Sequence, residues 1–248
     1  MSAPGVPTGD ARIPSKGLTV RSRIAGRLCA AALAVGLLAG SGGAATASPS
    51  GYEATYLYAS PARMIPYSPG GSHRPVLAAL DVTGDRIPEG FAYCIEPAVA
   101  SPSSVTRGTQ KLTDYPFERA NVADPGRVKW VLAHSYPAYS REFIVDYLAL
   151  DRRGLTDQEV DITLVAATQA ALYRFSHNMV VPANFRYDTR TTAAGRTNSA
   201  LFTTVYQFLV SHAVPFDHPK ATWRTWDNKK GDPATQTLIE VPKIPGKH

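Results

Sequence analysis

The chain has 248 residues, 44% hydrophobic and 19% charged, which supports one large or two small packed domains and excludes an intrinsically disordered composition. Its formal net charge of +6 is concentrated in residues 1–47, which hold five basic residues (Arg12, Lys16, Arg21, Arg23, Arg27) and one acid (Asp10), so the remainder nets +2. That balance, with no dense Lys/Arg run beyond the Lys229-Lys230 pair, argues against a nucleic-acid partner.

The first 47 residues read as a secretory signal peptide. Arg21, Arg23 and Arg27 form a basic stretch. Leu28 to Leu38 is an apolar run too short to span a bilayer, and Ala45-Thr46-Ala47 is a small-x-small cleavage site. No adjacent arginines precede the apolar run, and no cysteine follows Gly40-Ser41-Gly42-Gly43, so neither a twin-arginine signal nor a lipid-anchored cysteine is expected. Cleavage after Ala47 leaves 201 residues, read as one domain over 48–248 with its core at roughly 75–242, without a membrane span and monomeric. Removal of the leader also removes Cys29, so Cys94 becomes the sole cysteine of an exported chain. An intramolecular disulfide is then unavailable. A lone exported cysteine is either a small buried hydrophobe or a thiol with a special task.

In chain order, Tyr56-Leu57-Tyr58 reads as an edge strand and Val76 to Val82 as an apolar strand. Thr83-Gly84-Asp85 is a turn and Pro88-Glu89-Gly90 a second break, after which Phe91 to Ile95 forms a strand with Cys94 near its end. Residues 97–123 read as loop. Asp124 followed by Pro125 opens a helix with Val128, Val131 and Leu132 on one stripe, stopped by Pro137. Ser140 caps a short segment that places Phe143, Ile144, Tyr147 and Leu148 together. Thr156-Asp157-Gln158-Glu159 is a capping box that opens a long helix to about Phe175, with Val160, Leu164, Val165, Leu172 and Phe175 as its apolar positions. Asn198 is expected to cap a further helix that buries Leu201, Phe202, Val205, Phe208 and Leu209. Strand character returns at Trp223 to Trp226 and, after a turn at Asn228-Lys229-Lys230-Gly231, at Thr237 to Val241. Strands at both ends with helices between them predict an α+β domain, mainly antiparallel in its β part, with an inserted helical part.

Gln169 lies four residues after Val165 and three before Leu172, on or beside the apolar stripe. A buried carboxamide needs partners for its donors and acceptor. Its neighbours Ala166, Ala167, Thr168, Ala170 and Ala171 are small enough to let another backbone come close. Taken alone, these residues allow either a packing glutamine bonded to a carbonyl or a reactive amide.

Three features in order resemble the Cys–Gln thioester domains, or TQXA domains, of Gram-positive surface proteins. They are Tyr93-Cys94-Ile95, the helix Val128-Lys129-Trp130-Val131-Leu132 ending in Tyr136-Pro137, and Thr168-Gln169-Ala170-Ala171 within Ala167 to His177. The resemblance covers roughly residues 85–215. It implies an α+β module in which the Cys94 thiolate attacks the Gln169 carboxamide, ammonia leaves and an internal thioester remains. It also implies a secreted or cell-surface, adhesin-like module that reacts once with a nucleophile, such as a lysine amine, on a protein target. Turnover as an enzyme, a cofactor and a metal are not expected. Family members often carry Trp where this chain has Tyr173. The sequence ends at Gly246-Lys247-His248 without a Leu-Pro-x-Thr-Gly motif, which leaves a freely secreted domain, a subunit held by a partner and a truncated reading as the alternatives.

Forming such a bond calls for a thiolate, a proton for the departing ammonia and a donor for the tetrahedral oxyanion. Keeping it calls for exclusion of water. Tyr93, Ile95, Trp130, Leu172 and Tyr173 are candidates for an apolar wall, with Thr168 beside the glutamine. His134 and His177 are candidate proton carriers, and equally ordinary surface or capping residues. Glu96, two residues past Cys94, shares its face if the strand continues, as a base or a solvated charge. Two other classes of function stay open. One is a cysteine hydrolase with Cys94 as nucleophile and His134 or His177 as base. The other is a non-covalent binder presenting Tyr56, Tyr58, Trp223 and Trp226. The histidines lack metal-ligand spacing.

The leader reading makes a direct prediction. N-terminal sequencing of exported protein should begin Ser48-Pro49-Ser50, and cytoplasmic material with an intact leader would contradict it.

Overall fold

The computed structural model describes residues 52–56, 64–69, 71–81, 89–97, 106–111, 123–216, 223–228 and 238–242, all within the unit Thr46–His248. Among these residues the strands are β1 (Tyr52–Tyr56), β2 (Ile65–Pro66), β3 (Ser72–His73), β4 (Leu77–Asp81), β5 (Gly90–Cys94), β6 (Thr106–Lys111), β7 (Arg224–Asn228) and β8 (Leu238–Glu240). Four helices lie between β6 and β7: α1 (Pro125–His134), α2 (Arg141–Tyr147), α3 (Asp157–His177) and α4 (Ala193–His212). The expected α+β architecture with an inserted helical part is the one observed.

Six strands close into an antiparallel barrel in the order β1-β4-β5-β8-β7-β6, and β2 pairs with β3 alone. Closure removes the exposed edges that an open sheet would leave. β5 sits between β4 and β8, with Tyr93 opposite Leu77 on one side and Ile239 on the other. Cys94 pairs with Leu238, so the cysteine lies in the interior of the strand order.

The barrel revises two expectations. The first strand ends at Tyr56 and is paired on both sides, to β4 and β6, so it is not an edge; Leu57 and Tyr58 lie outside the described residues. The stretch 97–123, read as loop, contains β6. Its sequence Thr-Arg-Gly-Thr-Gln-Lys has no apolar alternation, and its strand form comes from pairing with β1 and β7. The turns at 83–85 and 229–231 and the leader also lie outside the described residues.

The helix starts follow the side chains at their N-caps. Asp124 accepts from the Arg127 amide at 3.0 Å, Ser140 from Phe143 at 3.2 Å, and Thr156 exchanges both bonds of a capping box with Glu159. α3 ends where Asn178 adopts the left-handed region at φ 54° and its N–H returns to the Tyr173 carbonyl. α4 starts earlier than expected. Thr192, not Asn198, is the cap, accepting from Gly195 N at 3.2 Å. A Cβ on Gly195 would lie 2.3 Å from the Arg190 carbonyl oxygen, so the tight entry into α4 demands glycine.

Asn198 instead lies inside α4, fully buried. Its Nδ2 donates to Asp188 Oδ2 at 2.9 Å and its Oδ1 accepts from the Thr163 hydroxyl at 2.5 Å. Arg190 reaches the same Asp188 carboxylate at 2.7 Å and Glu159 at 2.8 Å, which joins the α3–α4 connection to the start of α3. Arg141 similarly ties α2 to α3 through Asp157 and Asp161, both at 3.1 Å.

α3 is the central element and packs against α1, α2 and α4. Every residue from Thr163 to Tyr173 is buried. The one-stripe reading was therefore too narrow: a helix apolar all round is one covered on all sides. Short α2 departs in the other direction. Ile144 is buried, whereas Phe143 and Tyr147, expected beside it, are 47% and 63% exposed.

Asn198→Ala should leave Asp188 and Thr163 short of a buried partner and lower unfolding stability by about 2–3 kcal/mol in urea denaturation. A loss below ~0.5 kcal/mol would show that the network carries little of the stability.

Candidate functional site

β5 brings Cys94 to its last position and α3 brings Gln169 to the middle of its buried run. The two meet. Gln169 Nε2 donates to the Cys94 carbonyl oxygen at 2.8 Å, a bond between residues 75 apart in sequence. Cys94 is 1% exposed and Gln169 is 0% exposed. Ala166, Ala170 and Ala171 are buried with the glutamine, and such small side chains leave room for a strand end to approach the helix. Gln169 Oε1 has no hydrogen-bond partner among the described residues. Half of this amide is thus held and half is not, in surroundings where an unmet acceptor costs about 1–3 kcal/mol. A buried polar atom of this kind calls for an explanation, and a reactive role is one.

Several expected neighbours gather around the pair. Tyr93 is fully buried and donates its hydroxyl to the Tyr136 carbonyl at 2.7 Å. Burial holds its phenol well above the ordinary range, opposed by the nearby Thr168 and reinforced by Tyr136. Tyr93 therefore stays a neutral donor that pins the segment after α1 to β5. Ile95 and Leu172 are each 1% exposed and Tyr173 is 2% exposed, a water-excluding set on both site-bearing elements.

Glu96 reaches the site by a different route from the one expected. β5 ends at Cys94, so the alternation that would have put Glu96 on the cysteine's face does not continue. The half-buried Glu96 instead faces His177 electrostatically. Burial lowers the His177 pKa from its ordinary value, Glu96 opposes that shift, and His73 adds to it. His177 Nδ1 also lies 2.8 Å from the Ser176 hydroxyl.

Trp130 and His134 occupy another cluster. Their rings stack at 4.4 Å, His134 Nδ1 lies 2.8 Å from the Trp130 carbonyl oxygen, and both face α4 and the segment after it through Phe208 and Phe216. Trp223 packs edge-on to Phe216 and takes Lys129 over its ring, so the contacts described for it are intramolecular.

The sequence reading missed Tyr67 and His73. The β2–β3 pair carries them onto α3, where the Tyr67, His73 and Tyr173 rings meet with centroids 5.7–5.8 Å apart. The Gly70-Gly71 dipeptide signals a hairpin there, but nothing local tells which helix the hairpin covers.

A family profile described as TED, thioester domain, matches residues 91–215, half of the chain. The chain belongs to the thioester domain family. The matched span contains β5 from Phe91 on, all four helices and both Cys94 and Gln169, whereas Tyr67 and His73 lie before it. Among solved structures, the N-terminal thioester domain of fibronectin-binding protein SfbI from Streptococcus pyogenes is similar at 14% identity and TM-score 0.52, covering 81% of this chain and 97% of that one. The N-terminal domain of the Streptococcus pyogenes pilus tip adhesin Cpa matches at 15% identity and TM-score 0.49, over 78% of this chain and 94% of that one. A thioester domain of a Clostridium perfringens surface protein matches at 12% identity and TM-score 0.46, over 77% and 98%. At these identities the likeness to SfbI is one of fold. No curated protein matches the sequence. Among the described residues no helix of this thioester domain is long and apolar enough to cross a membrane.

Tyr93→Phe should remove the shorter of the two hydroxyl donors to the Tyr136 carbonyl, leaving Ser135, and cost about 1 kcal/mol of stability in urea denaturation. An unchanged midpoint would show that this bond does not hold the post-α1 segment.

Proposed function

We propose that this thioester domain forms a Cys94–Gln169 thioester and serves as a secreted or surface-exposed, adhesin-like module that captures a protein target covalently through an amine. The observation that carries the reading is the buried hydrogen bond from Gln169 Nε2 to the Cys94 carbonyl. It brings the carboxamide to the cysteine and holds the nitrogen that must depart. Attack of the Cys94 thiolate on the Gln169 amide carbon forms C–S and breaks C–N, and the nitrogen leaves as ammonia after taking a proton. Burial of both residues behind Tyr93, Ile95, Leu172 and Tyr173 supports persistence of the bond, because water is excluded from it.

An acyl group stored in this way waits for a nucleophile held against it, and such positioning removes several kcal/mol of the barrier. A lysine amine docked by a partner would displace Cys94 and leave an amide to Gln169. The amide is far more stable than the thioester, so the event is a single capture and not a turnover. The adhesins and surface proteins among the fold relatives support a surface role of this kind.

Intact mass tests the reading. Wild-type mature protein should fall short of its sequence mass by one ammonia and show no free thiol. Cys94→Ala and Gln169→Ala should each abolish the deficit. Methylamine should add to wild type and expose one thiol, and a target adduct should survive boiling in detergent. A full sequence mass with a freely reactive Cys94 would overturn the proposal.

A further inference from the structure

Helix α2 turns its aromatic side chains outward. Ile144 is 6% exposed and seats the helix, whereas Phe143 is 47% and Tyr147 63% exposed. Burial of such side chains is favourable, so a helix that keeps two of them in solvent forgoes stability there. Nor are they scattered singly, which would need no explanation. Tyr139, just before the Ser140 cap, Phe143 and Tyr147 follow at four-residue spacing, and successive rings stack at 4.5 Å and 20°, then at 5.7 Å and 9°. The row is tied to α1 and α4 at both ends. Tyr147 meets Phe208 edge to face at 5.9 Å, Phe208 lies 6.3 Å from Trp130, Trp130 stacks on His134, and His134 lies 6.2 Å from Tyr139. Six rings thus close a circuit whose most exposed members are on α2. Each ring is held by its neighbours before any partner arrives, so docking here costs little side-chain freedom.

The charge beside this row is one-sided. Residues 141–161 carry six acids (Glu142, Asp146, Asp151, Asp157, Glu159 and Asp161) against three arginines, a net of −3 in a chain that nets +2 from residue 48 on. All three arginines are engaged: Arg141 with Glu142, Asp157 and Asp161, Arg152 with Asp157, and Arg153 with Asp151. Glu142 and Asp146 are exposed, stand one helical turn apart and run alongside the aromatic row. Asp146 forms no ion pair among the described residues.

Apolar and anionic surface therefore lie side by side. Lysine and arginine match that pairing, because their methylene stems cover apolar surface while the charged head reaches a carboxylate. An acidic segment would meet like charge. A flat sugar needs an open ring face, and stacking turns the faces in this row toward one another and the edges outward.

We propose that the α2 face, with Tyr139, Phe143 and Tyr147 flanked by Glu142 and Asp146, is a non-covalent docking surface for a lysine- or arginine-bearing segment of the protein target. The inference takes a protein target from the reading above and does not need the thioester. Docking at α2 holds the partner whether or not an acyl bond forms.

NMR shifts of the mature protein carrying Cys94→Ala, which cannot form that bond, separate the two. A synthetic peptide of four Leu-Lys-Pro repeats, added up to millimolar concentration, should move the signals of Tyr139, Phe143 and Tyr147. Phe143→Ser combined with Tyr147→Ser should weaken the peptide about tenfold. Asp146→Lys should weaken it about fivefold, a difference that shrinks in added salt. These positions are exposed, and an unchanged urea midpoint verifies the fold. Glutamate in place of lysine in the peptide should abolish binding, and serine in place of leucine should weaken it. Equal binding of wild-type and variant faces, equal binding of the glutamate peptide, or no movement of the α2 signals overturns the proposal. So does a concentration-dependent dimer that Tyr147→Ser dissolves, which would give the face to a second copy. Movement of the α2 signals by maltohexaose and not by the lysine peptide overturns it in favour of a carbohydrate. Absence of the ammonia deficit in wild type would bring down the thioester reading and leave this one standing.

Discussion

The structure depends on the burial of α3. A helix covered from Thr163 to Tyr173 brings each polar side chain in that run against another buried segment. Thr163 meets Asn198, Thr168 lies against Tyr93, and Gln169 meets the Cys94 carbonyl. Each polar position along the helix thus points to a different part of the fold: α4, the segment held by Tyr93, and the end of β5. The alanines between them keep the helix thin enough for all of these to approach.

The two ends of α3 have separate duties. Its first turns are tied down by charge: the capping box at Thr156 and Glu159, the Arg190 bridge and the Arg141 fork. The backbone hydrogen bond from Thr156 is the largest of the effects that lower the Glu159 pKa, and Arg190 adds to it, so these contacts stay intact at neutral pH. The C-terminal half carries Gln169. Gln169, Tyr173 and His177 follow one another at four-residue spacing, from full burial to half-exposure.

Much of this was legible in the residues themselves. Caps at Asp124, Ser140 and Thr156 announce helices because they act on amides three residues away, within reach of the local chain. The apolar runs at Leu77 to Leu80 and Phe91 to Cys94 announce strands for the same reason. The order of Tyr93-Cys94-Ile95 and Thr168-Gln169-Ala170-Ala171 pointed to a family, and to two residues 75 positions apart that the fold then places in hydrogen-bond contact.

What the sequence could not supply were features created by distant partners. β6 has no strand pattern of its own and exists because β1 and β7 flank it. Asn198 looks like a helix cap and is a buried bridge, since Asp188 and Thr163 converge on it only after α3 and α4 pack. His73 stands 100 residues before Tyr173 in sequence, and it reaches Tyr173 only because the β2–β3 pair folds onto α3. Local amide bonding and side-chain period are encoded within a few residues, so the sequence determined the helices and the central strands and singled out Cys94 and Gln169. Which faces are covered, which charges confront one another and that Gln169 meets the Cys94 carbonyl depend on contacts between segments far apart in the chain, and those the tertiary structure alone decided.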